Sequence, residues 1–495
     1  TAPAATKVST EIHRSARCLI VVPLDWNAQH STLAERVSAR GAFVLCGERL
    51  EGILSSMKVV FVYPRFEKFL ESIPELDREL VDHFLGNFTT PPSLGIPILA
   101  ALTPPEWEME LVDDNNGDPV DFGVDADLVA INCFTPQATR ALELADGYRA
   151  AGKRVAMGGF WPSTMPDEAL AHCDAVNIGD GEPTWRRLLD DAARGELAPR
   201  YRGGTRFDLA QMPIPRREIF YEKGGYDWHE DLVQVARGCT YTCGMCAIPT
   251  HAGSRIRLRP IESIVEEIRT VRHDNVYLAD DMLFFPGRRL EAWSRRLLEA
   301  LAPLGKKYFV SSTMALNTDD EFLDLLARSG VTSFYCTMNV DPKSIRALGG
   351  DAAMRREVVE LVSRLEGRGI RFFASFGIGR DWDGEGLADS ILELCDRARI
   401  RTAEFFLFTP YPGSVHWDRL ARQGRLLHRR WREYNGAHVV SRPLELDPDR
   451  LYEMFVRLWR EFYSRRDGAE VVAQLEPDQS DPHMAERRRK VGLGG

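Results

Sequence analysis

The sequence lacks any apolar run long enough to cross a bilayer: runs such as LGIPILAALTPP fall short of the about 20 residues that a membrane helix needs. It also lacks a basic excess, because 63 lysines and arginines face 73 aspartates and glutamates, for a net charge of −10. The first residues, TAPAATKVSTEIHRS, contain no apolar core of a signal peptide. We therefore expect a cytoplasmic protein with no membrane and no nucleic-acid partner.

Cysteine is scarce: the chain has nine among 495 residues, an odd number, and most lie far apart. This usage is typical of a reducing compartment and argues against a disulfide framework. The exception is the stretch RGCTYTCGMC, which places Cys239, Cys243 and Cys246 within eight residues.

Three thiolates this close together predict a metal site. A cubane iron–sulfur cluster takes one thiolate per iron, so three cysteines leave one iron open to another molecule. Structural zinc is the alternative, because His251 lies five residues after Cys246 and would complete a Cys₃His set. The spacing favours iron–sulfur over zinc and leaves both open.

The first half of the chain reads as a Rossmann-like, doubly wound parallel sheet. Its strand candidates MKVVFVYP, MELVDD, ADLVAINC, KRVAMGG and DAVNIG alternate with helical patterns. One helix, in TPQATRALELADGYRAAG, is expected to have Thr135 as its cap and to end at Gly152. Ligands of such sheets bind at the carboxyl ends of strands, which here carry NCFTP, GGFWPS and GDGE.

The second half predicts a partial (β/α)₆ TIM-like barrel, because six strand candidates alternate with helices. They are DLVQVARG, NVYLADD, KYFVSSTM, SFYCTMNV, RFFASFGIG and AEFFLFTPY. Chemistry in barrels takes place where strands end. Cys239 follows the first strand directly, and Asp280 and Asp281 close the second.

These patterns predict five segments. They are an amino-terminal extension (1–56), the Rossmann-like domain (57–200), a linker (201–226), the partial barrel (227–425) and a helical carboxyl-terminal region with a tail (426–495). The aromatic stretch LYEMFVRLWREFY in the last segment is expected to pack into the core.

A C-x₃-C-x₂-C motif directly after the first of six βα units resembles the radical S-adenosylmethionine (SAM) enzymes. Upstream, PPSLGIPILAAL, DADLVAINC and DAVNIGDGEPTW are similar to the cobalamin-binding half of the cobalamin-dependent members. RIRLRPIESIVEEI, VYLADD and TPYPGS are similar to the SAM half. The resemblance implies a [4Fe–4S] cluster held by Cys239, Cys243 and Cys246, SAM at its open iron, and cobalamin.

The same resemblance implies a C-methyltransferase. Such an enzyme moves a methyl group from SAM by way of methylcobalamin to an unactivated carbon of a small molecule of natural-product or cofactor metabolism. It uses a 5′-deoxyadenosyl radical and an electron donor such as flavodoxin or ferredoxin. The alternative is a cyclase or ring-rearranging enzyme, like the tetrapyrrole oxidative cyclases, without net methylation. RNA methylthiolation and zinc binding without catalysis are weaker alternatives.

The resemblance also implies cofactor-binding residues, while the catalytic residues stay unassigned. The residues expected to bind SAM are Asp280, Asp281, Ser312, Gly377, Gly379 and Pro412. Those expected to bind cobalamin are Arg65, Leu94, Gly95, Thr135, Gly158, Gly159 and Gly179. The loop YPRFEKFL has no histidine, so we expect cobalamin without a histidine ligand below the cobalt.

Several of these residues have a structural alternative. Asp280 and Asp281 could cap a loop, and the Ser312 hydroxyl could be satisfied within its strand. Arg257 could reach a carboxylate or phosphate, or form a surface pair. Cys336 is expected to be a buried structural thiol.

Overall fold

The computed structural model describes eight stretches of the chain, all within one compact unit. They are 57–76, 93–223, 230–241, 243–280, 283–284, 287–312, 319–338 and 351–466. The predicted amino-terminal extension, the tail after residue 466 and Asp281 lie outside the described residues.

The first sheet has six parallel strands in the order β2-β1-β3-β4-β5-β6. They are β1 (Met57–Tyr63), β2 (Trp107–Asp113), β3 (Leu128–Asn132), β4 (Val155–Gly158), β5 (Ala175–Gly179) and β6 (Arg200–Gly204). Strand β1 pairs with both β2 and β3. The direction of winding therefore reverses beside β1, where doubly wound sheets bind ligands.

Strand β6 corrects the predicted linker. The sequence predicts a linker from residue 201, because this stretch is rich in proline, glycine and arginine. Tyr201 is the only large apolar side chain in RYRGG. That ring is fully buried, and β6 pairs in parallel with β5 at the sheet edge. The other five strands lie where the sequence predicts them.

Helices cover both faces of the first sheet, with an apolar core on each side. They are α1 (Gly95–Leu102), α2 (Ala138–Ala150), α3 (Phe160–Thr164), α4 (Pro166–Leu170), α5 (Glu182–Arg194) and α6 (Glu218–Tyr221). Helix α5 shows why: Trp185, Leu188, Leu189 and Ala192 fall on one stripe and are all buried.

The second sheet has six parallel strands paired in simple sequence order. They are β7 (Glu230–Val233), β10 (Asn275–Leu278), β11 (Lys307–Ser312), β12 (Val331–Thr337), β13 (Arg371–Ile378) and β14 (Thr402–Leu407). No pairing joins β14 to β7 among the described residues, so the sheet is an open, partial barrel. A short antiparallel pair, β8 (Ala236–Arg237) and β9 (Arg257–Leu258), follows β7.

Six of the eight helices described in this part of the chain share one large core with the partial barrel. The short helix Ile248–His251 has no buried residue, and Trp417 of Val415–Arg422 packs into a core of the first sheet. The eight helices are α7 (Ile248–His251), α8 (Ile261–Ile268), α9 (Arg288–Leu301), α10 (Asp320–Arg328), α11 (Asp351–Glu366), α12 (Leu387–Arg397), α13 (Val415–Arg422) and α14 (Pro448–Ser464). Helix α14 carries the aromatic stretch: Trp459 is buried and donates a hydrogen bond to the Phe405 carbonyl at 3.0 Å. The stretch is core, as the sequence predicts.

Both halves thus have the fold class predicted from the sequence: a doubly wound sheet, then a partial (β/α)₆ barrel with a helical end. Within the described ranges, no helix combines the length and the hydrophobicity that a membrane crossing requires.

Candidate functional site

The loops after β1 and β3 form one edge of the candidate site. Thr135 does not cap helix α2, contrary to the prediction. It begins a 3₁₀ turn, Thr135–Gln137, that precedes the helix, and the side-chain oxygen of Gln137 accepts from the Phe134 amide at 2.8 Å at the start of this turn. The Gln137 amide also donates to the Pro64 carbonyl at 2.6 Å and ties the two loops together. The buried Thr135 hydroxyl is left without a partner, which is consistent with the predicted contact to cobalamin.

Asn132, at the end of β3, brings several of the predicted cobalamin residues together. Its Nδ2 donates to Ser93 Oγ at 3.1 Å and so draws Leu94 and Gly95 to this edge. Gly158 closes the neighbouring strand, and a Cβ on Gly159 would lie 2.6 Å from Asn132 Oδ1. The sequence did not single out Asn132, because a strand-end asparagine carries no local signal of long-range contacts.

Arg65 and Gly179 sit at the ends of this edge. The Arg65 amide donates to Asp114 Oδ2 at 3.0 Å, and its side chain is exposed. Gly179 has φ +83°, and a Cβ there would collide with the Gly204 carbonyl of β6. Sheet packing therefore accounts for this glycine, and its contact with cobalamin stays a prediction.

The cysteine loop leaves the β8–β9 pair at the carboxyl edge of the barrel. Cys243 is exposed, while Cys239 and Cys246 are half-buried. The Ile248 amide donates to Cys246 Sγ at 3.4 Å, the kind of contact that stabilises a thiolate. The described residues contain no group of three His, Cys, Asp or Glu side chains already set to hold a metal ion. The fit to an iron–sulfur cluster therefore rests on the donor set: three thiols on one loop.

The turn after β14 holds the cysteine loop from the other side. The His416 amide donates to the Gly244 carbonyl at 2.7 Å, and the Thr250 hydroxyl donates to the Gly413 carbonyl at 2.8 Å. Pro412, predicted to bind SAM, belongs to this turn. The turn that follows the last strand of the open barrel thus contacts the loop that carries the cysteines.

Gly238, just before Cys239, needs to be glycine. Its φ is +91°, and a Cβ would collide with the Arg255 carbonyl oxygen. We expect Gly238→Ala to lower the free energy of unfolding by about 1–3 kcal/mol and to lower bound iron per chain. Gly369→Ala is the matched control, because φ there is +75° but no atom lies within 4 Å of the added methyl group. Equal losses of iron in both variants would contradict this account.

Asp280 supports the cysteine loop from β10. Its Oδ1 accepts from the amides of Val235 at 2.9 Å and Ala236 at 2.8 Å, directly before the cysteine stretch. The loop-capping alternative thus describes what Asp280 does in this structure. Its predicted contact with SAM stays a prediction.

The other predicted SAM residues occupy less favourable positions. Ser312 alternates with Val310 and Tyr308, which pack into the helix-side core, so it lies on the outer face. Its buried hydroxyl has no partner, and Ser311 occupies the inner face instead. A Cβ on Gly377 would lie 2.7 Å from the Phe406 ring, and one on Gly379 would lie 2.6 Å from Leu451. Packing accounts for both glycines, and SAM contact there stays a prediction.

His251, the fourth ligand of the zinc alternative, closes helix α7. Its ring lies 4.6 Å from the ring of Phe160, which follows Gly159. Burial, with the nearby charge of Arg237, lowers the pKa of His251 to about 4.

We expect His251→Phe to change the acid sensitivity of the fold. Between pH 6.5 and about 4 the unfolded chain binds a proton that folded His251 does not, so wild-type stability falls as the pH drops through this range. Urea unfolding at pH 7 and pH 5 would show a smaller loss for His251→Phe. The same loss in both proteins would contradict the assignment.

A buried ion-pair cluster joins the cysteine loop to the first sheet. Arg237 donates to Asp180 Oδ1 at 2.7 Å and to Glu182 Oε1 at 2.8 Å, both just beyond β5. Arg257 donates to Asp180 Oδ2 at 2.6 Å. All four side chains are at most 14% exposed, so Arg257 does reach a carboxylate, and not as a surface pair. We call these four residues the GDGE cluster.

Residues 233–403 match the family model described as the Radical SAM superfamily, which makes this part of the chain a radical SAM domain. Residues 233–403 therefore define the class as that of radical SAM domains, and enzymes with this domain use a [4Fe–4S] cluster and SAM. This confirms the family recognised from the sequence.

The chain is similar to named methylating enzymes. It is 27% identical over 397 residues to the bacteriochlorophyllide d C-12(1)-methyltransferase of Chlorobaculum tepidum, covering 77% of this chain and 84% of the relative. It is 27% identical over 439 residues to the hopanoid C-2 methylase of Rhodopseudomonas palustris, covering 83% and 77%.

Solved structures share the two-part fold. The methyltransferase TsrM from Kitasatospora setae, solved with cobalamin and a [4Fe–4S] cluster, aligns with a TM-score of 0.57 at 16% identity over 86% of this chain and 92% of that one. The cobalamin-dependent enzyme OxsB with aqua-cobalamin aligns with a TM-score of 0.52 at 14% identity over 90% and 63%. The chain thus has the fold of cobalamin-dependent radical SAM enzymes, and the predicted cofactors agree with these neighbours.

Proposed function

We propose that this protein is a cobalamin-dependent radical SAM C-methyltransferase acting on an unactivated carbon of a small molecule. The observation that carries the proposal is the GDGE cluster. It fixes Arg237, two residues before Cys239, to the carboxyl end of β5. The edge predicted to bind cobalamin and the loop predicted to bind the iron–sulfur cluster are thereby held side by side.

The residues of the chain would divide the work between these two edges. Cys239, Cys243 and Cys246 would hold the cluster, with Asp280 and Gly238 shaping the loop that presents them. Thr135, with its unpartnered buried hydroxyl, and the glycine-lined edge around Asn132 would hold the corrin. When bound, the three cofactors would supply a carbon radical and a methyl group to meet it.

Methylation is favoured over cyclisation by the relatives, since several bear methyltransferase or methylase names. The radical cyclase stays the alternative. The reaction would also need an electron donor, and flavodoxin or ferredoxin remains the proposed partner.

The proposal is tested with anaerobically reconstituted protein, cobalamin, a chemical reductant and SAM labelled on its methyl carbon. We expect the label to leave SAM and to be recovered with the protein-bound cobalamin, even before the substrate is known. Formation of 5′-deoxyadenosine while the methyl label stays in SAM-derived methionine alone would favour the cyclase and contradict the proposal.

A further inference from the structure

The inner face of the partial barrel carries a set of side chains that the proposed function has not used. On each strand, alternate residues point away from the helix-side core. The inward residues include Glu230, Tyr277, Phe309, Ser311, Tyr335, Phe373, Ser375 and Glu404. We call the space they surround the lumen.

Part of the lumen is not filled by the side chains of its own strands. The outward residues Val310, Phe334 and Phe405 are fully buried against the helices. Their inward neighbours Phe309, Tyr335 and Glu404 keep partial exposure although they lie within the strands. Phe373 and Ser375 of the inward set are buried. A barrel filled by its own side chains would have buried the other three as well, so Phe309, Tyr335 and Glu404 border unfilled space.

Glu404 is the polar centre of this cavity. The Tyr335 hydroxyl donates to Glu404 Oε1 at 2.5 Å, and the Ser375 hydroxyl donates to the same oxygen at 2.7 Å. Two donors on one oxygen fix the carboxyl group and aim Oε2. Oε2 accepts no hydrogen bond from the described residues. It is also not one of their fully buried polar atoms that lack a hydrogen-bond partner, so it opens onto the lumen.

Aromatic rings form a band beside Glu404. The ring centroids of Tyr277 and Phe309 lie 4.9 Å apart, and those of Tyr335 and Phe373 lie 5.2 Å apart. The ring of Phe309 links the two pairs at 6.2 Å from Tyr335. Ring faces attract cations as well as other rings, and a nearby carboxylate strengthens the preference for a cation.

The remaining charges of the lumen lie towards the amino ends of its strands. Glu230 opens β7, and it makes no hydrogen bond or ion pair with any described residue. Lys307 opens β11 and Arg371 opens β13. Asp280, just beyond β10, is held by the amides of Val235 and Ala236. Of the inward carboxylates within the strands, Glu404 therefore lies farther from the amino end of its strand than Glu230 does.

We propose that the lumen binds a ring-bearing substrate that carries a protonated amine, with the amine donating to Glu404 Oε2 and the ring against the aromatic band. This inference rests on the proposed function and names its substrate class. It excludes substrates that would place a carboxylate or phosphate beside Glu404, because two anions would then share a site of low polarity.

The test compares three probes of one shape: 2-phenylethylamine, 2-phenylethanol and phenylacetate. Each is titrated by calorimetry into reconstituted holoenzyme with SAM bound. We expect the amine to bind at least about tenfold more tightly than the alcohol, the effect of one hydrogen bond to a charged group, and phenylacetate to bind most weakly.

Glu404→Gln should abolish the preference for the amine, and Glu404→Asp, which keeps the charge but withdraws the carboxylate, should weaken it. The matched control Glu360→Gln, on the exposed side of helix α11, should keep it. Equal binding of amine and alcohol, no binding of the amine, or an unchanged preference in Glu404→Gln would overturn the inference. Loss of methyl transfer from labelled SAM with the amine preference intact would contradict the proposed function alone.

Discussion

Cys243→Ala is expected to abolish reductive SAM cleavage, with a loss on the order of 10³-fold or more, as for removal of an essential group. Cys243 is the exposed member of the three cysteines on the loop. Without its thiolate, two protein ligands would remain for four irons, and the cluster would not be retained. Iron content, visible absorption and 5′-deoxyadenosine formation measure the effect.

Cys173→Ser is the matched control for that variant. Cys173 is buried in the first domain, where its thiol donates to the Ala169 and Ala175 carbonyls at 3.2 Å, bonds that a serine hydroxyl can replace. We expect its iron content and SAM cleavage to stay at the wild-type level. If the Cys243→Ala variant cleaved SAM at the wild-type rate, the cysteine loop would not hold the cluster that cleaves SAM.

Arg237→Ala is expected to have the largest effect on stability, about 3–5 kcal/mol, because it leaves the buried carboxylates of Asp180 and Glu182 with only Arg257 to balance them. Arg237→Lys should recover part of the loss, since a lysine keeps the charge but cannot donate to both carboxylates with the same geometry. Urea unfolding measures both.

The same pair of variants tests whether the GDGE cluster aligns the two domains. In Arg237→Lys, methyl transfer from labelled SAM should fall more than SAM cleavage, because cleavage needs only the barrel half. Arg186→Ala, which removes an exposed arginine of helix α5, should change neither. If methyl transfer and SAM cleavage fell by the same factor in Arg237→Lys, the GDGE cluster would stabilise the fold without aligning the two domains.

Most of the fold could be predicted from the sequence because its buried parallel strands are continuous apolar runs. Strand β13, RFFASFGI, is an example, with seven of its eight residues buried. Strand β6 was missed because RYRGG depends on a neighbour, β5, and not on its own hydrophobicity. Local pattern therefore predicts core strands better than edge strands.

The site residues could be predicted where a few neighbouring residues identify them. They could not be predicted where they are brought together only by packing between distant parts of the chain. The cysteine spacing and the strand-end glycines are visible in a few residues of sequence. The contact between Arg237 and Asp180 joins residues 57 positions apart in separate domains, and no local pattern reports it. The predicted Thr135 cap was wrong because a 3₁₀ turn, Thr135–Gln137, precedes the helix and Thr135 is its first residue. Ser311 and Ser312 are neighbours in β11, and one faces the lumen while the other faces the helices. The local sequence does not determine which of the two faces inward, because a shift of the strand register by one residue would exchange them.

The most direct test of the central claim is the metal content of the protein after anaerobic reconstitution with iron, sulfide and cobalamin. The account predicts about four irons and about one cobalt per chain, with iron lost in Cys243→Ala while cobalt is retained. A wild-type protein that binds iron but no cobalt, or one that takes up zinc in place of iron, would contradict it.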